Sequence, residues 1–147
     1  MKEFHGRVIQ AQNWTGEAIV SHQGFNTLAS CQTSALLATS KKIIVSDQNN
    51  KDLYKKNITG KALCLPETIG STTGGMVIQT IAVRSLAPKA WLFSHHIDPL
   101  AASGIILSNV WNDAGLIAID ELGDDFLDAV KSGDKIAIKK DGTVIVE

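Results

Sequence analysis

Short stretches in which apolar and polar residues alternate, separated by turn signals, fill the first third of the chain, residues 1–57. They are residues 4–12, then the turn Asn13-Trp14-Thr15-Gly16, then residues 17–21, and later Ile43-Ile44-Val45. A period of two buries one side of a strand and wets the other, so these stretches predict β-strands, paired antiparallel. From Gly60 onward the pattern alternates between strand and helix. Lys61-Ala62-Leu63-Cys64-Leu65 reads as a buried strand that stops at Pro66, which has no amide hydrogen to continue a ladder. After a loop over 67–72, residues 73–85 carry Met76, Val77, Thr80, Ile81 and Val83 at helical spacing, with Gly74 and Gly75 weakening the first turn. Ala90-Trp91-Leu92-Phe93 predicts a strand, 98–107 a helix opened by Asp98-Pro99, and Leu116-Ile117-Ala118-Ile119 a further strand. Residues 124–132 predict a helix with Asp124 and Asp125 where the macrodipole favours acids, and 135–138 with 143–146 a hairpin across Asp141-Gly142. Each helix must cover a sheet face, so parallel βαβ units behind an antiparallel section imply a layered α/β fold.

Composition narrows the function classes. The 147 residues, 44% hydrophobic and 20% charged, suit one domain spanning residues 1–147. With 14 basic against 15 acidic residues the net charge is −1, which provides no summed positive field for nucleic acid. No apolar run approaches the ~18 residues of a membrane span, and the start lacks the hydrophobic segment of a secretory signal, so a cytoplasmic protein with no membrane partner is expected. Cys31 and Cys64 are too few and too far apart for a metal clip or a disulfide framework. An iron–sulfur cluster usually takes three or four thiolates, so any cluster would be borne by another chain. Charge is also unevenly spread: between Glu67 and Asn112 only Glu67, Arg84, Lys89 and Asp98 are charged. That dry centre is either a buried core or a surface that a partner covers.

Candidate chemistry concentrates in Ile69-Gly70-Ser71-Thr72-Thr73-Gly74-Gly75, a hydroxyl-rich, glycine-flexed loop between a strand and a helix. Ligands favour the C-terminal edge of parallel strands, and amide hydrogens at a helix start lack internal partners. Ser71, Thr72 and the following amides can therefore hold a carboxylate or phosphate oxygen, and the same field favours the alkoxide of Ser71. The loop is neither a P-loop, since no Gly-Lys-Ser/Thr follows, nor a nucleophile elbow, since Ile69 stands where glycine is required. The competing reading is that Ser71, Thr72 or Thr73 caps the helix. His95-His96 beside Asp98 suggests a metal site, but neighbours in an extended segment face opposite ways, and no metal ligand set is assigned to this chain. Asp120, Glu121, Asp124, Asp125 and Asp128 read as a solvated helix start. Trp14, Trp91 and Trp111 read as packing residues, with an interface as the alternative for Trp111.

The run Gly60-Lys61-Ala62-Leu63-Cys64-Leu65-Pro66, then Gly70-Ser71-Thr72-Thr73-Gly74, Ala87-Pro88-Lys89-Ala90 and Asp98-Pro99-Leu100-Ala101-Ala102-Ser103-Gly104, resembles in order and spacing the small subunit or swivel domain of the aconitase-X family. Gly16-Glu17-Ala18-Ile19-Val20 is similar to that family's opening strand. The resemblance implies an α/β, swivelling β/β/α three-layer domain that docks on a large catalytic subunit to form a hydro-lyase. The large subunit then holds the iron or iron–sulfur cluster, and the small one supplies a serine base, here Ser71, with Gly70, Thr72, Thr73 and Gly74 shaping the edge that binds a small carboxylate substrate. Family members dehydrate mevalonate 5-phosphate or cis-3-hydroxy-L-proline, and the moderately charged composition favours the hydroxyproline type. Two departures stand out. Phe25-Asn26-Thr27-Leu28-Ala29-Ser30-Cys31 stands where family members usually carry Phe-x-Gly-Gly, and Gly75 takes a place often held by serine. The alternative is a non-catalytic swivelling module that docks on, or regulates, a larger subunit.

Overall fold

In the computed structural model, which describes residues 1–70 and 72–147, the expected strand over 4–12 is two strands, β1 (Lys2–His5) and β2 (Arg7–Gln10), broken at Gly6. The remaining strands are β3 (Trp14–Val20), β4 (Phe25–Asn26), β5 (Ala62–Leu65), β6 (Thr68–Ile69), β7 (Ala90–Phe93), β8 (Ile117–Asp120), β9 (Lys135–Ile138) and β10 (Thr143–Val146). The helices are α1 (Thr27–Leu36), α2 (Gly74–Val83), α3 (Pro99–Asn112) and α4 (Asp124–Ala129).

Eight strands hydrogen-bond in the order β1-β10-β9-β3-β5-β7-β8-β2, so β1 and β2, one residue apart in sequence, lie at the two ends of the order. The sheet therefore folds over on itself. Gly6 makes the crossing, where an added Cβ would lie 2.5 Å from the Asp120 carbonyl oxygen. At the opposite fold β3 belongs to both layers: Trp14 to Glu17 pair antiparallel with β9, and Ala18 to Val20 pair parallel with β5. One layer is antiparallel (β1, β10, β9 and the start of β3), and the other is the parallel set β3, β5, β7 and β8 with β2 antiparallel on its edge.

Both faces of the parallel layer are covered, which is why β5, β7 and β8 are buried at all four positions. Alternation splits their side chains between two cores. Cys64, Leu92 and Ile119 pack between the sheets with Phe126, Ile136 and Val144. Leu63, Leu65, Trp91 and Phe93 pack under the helices with Phe25, Ile78, Ile81 and Ile105. The architecture is the expected β/β/α three-layer arrangement.

Several local expectations change. Trp14 to Gly16 is strand rather than turn, with the Trp14 ring lying over Gly16 so closely that a Cβ there would sit 2.2 Å from it. The first third is not wholly antiparallel, because the second half of β3 joins the parallel layer. Ile43 and Val45 are buried anchors of the irregular connection 37–61 rather than a strand, and Ile44 makes only an isolated bridge to Asn57. Residues 27–36 form a helix that the alternation analysis did not anticipate. Its buried stripe, Thr27, Ser30, Cys31 and Ser34, has helical spacing but is built of small polar side chains. Helix α3 runs on to Asn112, past the expected end at 107, and α4 stops at Ala129, short of 132.

Helices α2 and α3 approach at two glycines. A Cβ on Gly75 would lie 2.6 Å from the Leu100 carbonyl oxygen, and one on Gly104 would lie 2.6 Å from that of Gly75. Backbone thus meets backbone, which fixes the start of α2 against the first turns of α3.

Candidate active site

Because β3, β5, β7 and β8 run parallel, their C-terminal ends share one edge, and the segments leaving it lead towards α1, α2, α3 and α4 respectively. Helix starts turned towards a common edge direct amide hydrogens and positive dipole ends to it. Here the first turns of the three longer helices meet: Thr27, Gly74 and Leu100 line one cleft of about 60 Å³ together with Thr68, Gly70 and Asp98.

The loop after β5 is shaped by its neighbours rather than by its own preferences. Strand β6 pairs in parallel with β4, Phe25 opposite Thr68 and Asn26 opposite Ile69. Gly70 follows at φ +99°, and a Cβ there would lie 2.6 Å from Asn26 Nδ2, so both the backbone angle and the space demand glycine. Asn26 also caps α1, its Oδ1 accepting from the Ala29 amide at 3.0 Å. Asp98 caps α3, its Oδ2 accepting from the amides of Leu100 at 3.1 Å and Ala101 at 3.2 Å. The second oxygen of the same carboxylate, Oδ1, accepts a hydrogen bond from the Thr68 hydroxyl. Thr73 occupies the N-cap position of α2 without a side-chain capping bond, so the capping reading does not describe it.

Of the residues singled out in the sequence, Ser71 lies outside the described residues. Gly70 and Gly74 come together in the cleft, while Thr72 and Thr73 are exposed at the head of α2. Thr68 lines the cleft without having been flagged in the sequence, while Thr27 was noted only as part of a departure from the family pattern and Asp98 only as a helix opener and a neighbour of the two histidines. For Asp98 the Asp-Pro pair signalled the cap, but nothing signalled its second partner.

The histidines and acids pair with one another. His95 Nε2 lies 2.8 Å from Asp124 Oδ1, whereas His96 Nδ1 lies 3.5 Å from Glu121 Oε1, so the two rings serve different carboxylates. Among the described residues no group of three or more His, Cys, Asp or Glu is arranged to hold a metal. The reading of Asp120 as a solvated acid is corrected: its side chain is fully buried. Arg7 reaches it from β2, Nη2 to Oδ2 at 2.6 Å and Nε to Oδ1 at 2.9 Å, and the Ile97 amide donates to Oδ2 at 2.8 Å. Burial alone would raise the Asp120 carboxyl, but the hydrogen bonds from Arg7 and Ile97 and the charges of Arg7 and His96 outweigh it, and the group titrates below the usual carboxylate range.

The cysteines do not fit an iron–sulfur ligand set. Cys31 and Cys64 are fully buried in different cores, on opposite sides of the parallel layer. Burial pushes the Cys31 thiol up to about 12, and burial with the charge of Asp134 pushes Cys64 higher, so neither presents a thiolate near neutral pH.

The uncharged centre of the sequence is in part buried and in part exposed. It supplies Trp91, Phe93, Ile78 and Ile105 to the core, yet it also exposes Met76, Val83, Val110 and Trp111 on α2 and α3. Trp91 packs edge-on against Phe25 at 5.9 Å, as a packing residue should, whereas Trp111 is 68% exposed.

Comparison with known proteins places this arrangement in context. The sequence profile described as aconitase X swivel domain matches residues 3–146. The phosphomevalonate dehydratase small subunit of Methanocella arvoryzae is 33% identical over 91 residues, which is 62% of each chain. The protein of the same name from Methanocaldococcus jannaschii is 29% identical over 136 residues, 92% of this chain and 90% of the other. The crystal structure of Thermococcus kodakaraensis aconitase X in its holo-form superposes with a TM-score of 0.83 at 26% identity, covering 100% of this chain and 99% of that one.

Proposed function

The chain belongs to the aconitase X swivel domain family, and from that premise we propose that it is the small subunit of a two-component hydro-lyase, competent only when a larger subunit closes over the C-terminal edge of its parallel strands. The iron centre is assigned to that larger subunit. The substrate is a β-hydroxy carboxylate: a proton leaves the carbon next to the carboxylate, the hydroxyl leaves the neighbouring carbon, and a double bond forms between them. Ser71 takes the proton. Serine is a feeble base at neutral pH, so it needs a positive field and exclusion of water, to which a helix start beneath a closing partner contributes. Gly70, Thr72, Thr73 and Gly74 form the substrate edge, offering amides and hydroxyls to the carboxylate.

The observation that supports this reading is the meeting of Gly70 and Gly74 with the first turns of three helices in one cleft on that edge. Mevalonate 5-phosphate is the substrate to test first, because three curated relatives are named phosphomevalonate dehydratase small subunits. The preference for cis-3-hydroxy-L-proline drew on composition alone, and that acid forms the second arm of the assay. Thr27, in the segment that departs from the family's Phe-x-Gly-Gly pattern, lines the cleft.

The test is reconstitution with the cognate large subunit and comparison of the wild-type chain with Ser71→Ala on both acids. Loss of a base commonly costs ~10²-fold or more, which is the expected fall in kcat with the complex intact. Near-normal dehydration by the variant removes Ser71 from its role. A tight wild-type complex that turns over neither acid favours the non-catalytic module instead.

A further inference from the structure

The glycines of the 70–75 segment carry little conformational preference of their own, so whatever holds a base in register must come from outside the segment. Among the described residues, two such holds refer to the same helix, α3. Downstream, Gly75 sits on the Leu100 carbonyl and Gly104 of α3. Upstream, the Thr68 hydroxyl donates to Asp98, the cap of α3, whose other oxygen is committed to the Leu100 and Ala101 amides. Asp98 thereby links the first turn of α3 to the strand residue two positions ahead of Gly70. The pairing of β6 with β4 and the seat of Gly70 against Asn26 fix the remaining side of the segment, towards α1.

We propose that Thr68 is a positioning residue for the serine base: through Asp98 it ties the upstream end of the 69–73 segment to the helix that already holds the downstream end. This rests on the reading given under Proposed function and adds a residue to it. A misplacement of about 1 Å at a reacting group can cost ~10²-fold, so a segment that loses its tie to α3 at the upstream end loses rate rather than substrate affinity. Thr68 is the cleaner place to probe the tie, because altering Asp98 also uncaps α3, whereas Thr68→Val keeps the β-branched shape and removes only the hydroxyl.

The experiment uses the full chain, alone and reconstituted with its large subunit, as wild type, Thr68→Val and Thr68→Ser. In the complex, Thr68→Val is expected to lower kcat about tenfold with KM within twofold of wild type, and Thr68→Ser to restore most of the rate. In the free chain, amide hydrogen exchange over 69–73 is expected to quicken in Thr68→Val while the Leu100 and Ala101 amides keep their protection. Wild-type kcat in Thr68→Val overturns the proposal, as does a loss that Thr68→Ser fails to restore. Should the wild-type complex dehydrate neither acid, the hydro-lyase reading fails and the exchange measurement alone decides the tie. Unchanged exchange over 69–73, or a uniform increase that includes the start of α3, overturns it.

Discussion

The segment leaving β5 and the segments leaving β7 and β8 depart from the same edge of one sheet, yet they are built on opposite principles. After Glu67 the first carries no charged side chain until Arg84, and it is held by strand pairing, by two glycine contacts and by the caps of neighbouring helices. The other two carry His95, His96, Asp98, Glu121 and Asp124, and Arg7 leans in from β2. Most of these charges satisfy one another, and half-exposed Arg7 pairs with buried Asp120 to fasten β2 to β8 beside the crossing at Gly6. The contrast separates architecture from chemistry. Self-paired charges hold the folded-over sheet together, whereas the uncharged loop is held by backbone pairing and close glycine contacts. Asp98 stands at the border, and its charge is met by the amides of α3 and the Thr68 hydroxyl.

The sharpest way to break the uncharged side of this comparison is Gly75→Ala. The new methyl would meet the Leu100 carbonyl at 2.6 Å, and backbone cannot swing aside as a side-chain tip can. Overpacking of this kind costs about 3 kcal/mol, and it also moves the start of α2 away from α3. Thermal unfolding should show the stability loss, and the reconstituted enzyme should lose turnover. A variant with wild-type melting and activity would mean that the interhelical contact does not set the site.

On the charged side, Asp120→Ala removes both Arg7 hydrogen bonds and strands the Ile97 amide in a buried place. An unsatisfied buried donor costs about 2 kcal/mol, which chemical denaturation would read, while kcat per assembled complex should stay within twofold of wild type. If turnover collapses with the complex intact, the charged cluster belongs to the chemistry and the division drawn above is wrong.

How far each side was legible follows from what carries it. Strands β5, β7 and β8 and the hairpin of β9 and β10 were visible because buried apolar runs and Asp-Gly turns are local signals. Helix α1 was not, since its buried stripe of Thr27, Ser30, Cys31 and Ser34 registers on no scale that counts apolar residues. The break at Gly6 was hidden because its cause, the Asp120 carbonyl, lies far along the chain. In the site the same rule holds. The 69–75 loop announced itself by composition, whereas Thr68 and Asp98 are joined only by tertiary structure, 30 positions apart. Asp120 was misread for that reason too: one acid among several at a helix start looks solvated until Arg7 is found 113 positions away.

The Asp120 pair also predicts a pH dependence whose sign is fixed. The folded pKa lies below the ordinary value of about 3.9, so the pair's contribution is fully present above that value and is lost as pH falls through the folded pKa. Denaturation midpoints should therefore drop below about pH 4 in the wild type, and Asp120→Ala should flatten that part of the profile. Equal acid sensitivity in the two proteins would show that other carboxylates dominate.

The smallest effect is expected at His95→Ala. His95 meets Asp124 at 2.8 Å and Glu67 at 3.8 Å, but the ring and both acids are more than half exposed. Exposed ion pairs are screened and typically contribute no more than about 0.5 kcal/mol, and this one vanishes whenever the ring is neutral. Stability should be almost unchanged, and any small difference should shrink with added salt. Because Glu67 directly precedes Thr68, the same variant also asks whether the charged segment pulls on the uncharged one. Unaltered hydrogen exchange over 69–73 in His95→Ala, set against the quickening expected in Thr68→Val, would show that the two neighbours on this sheet edge are mechanically independent.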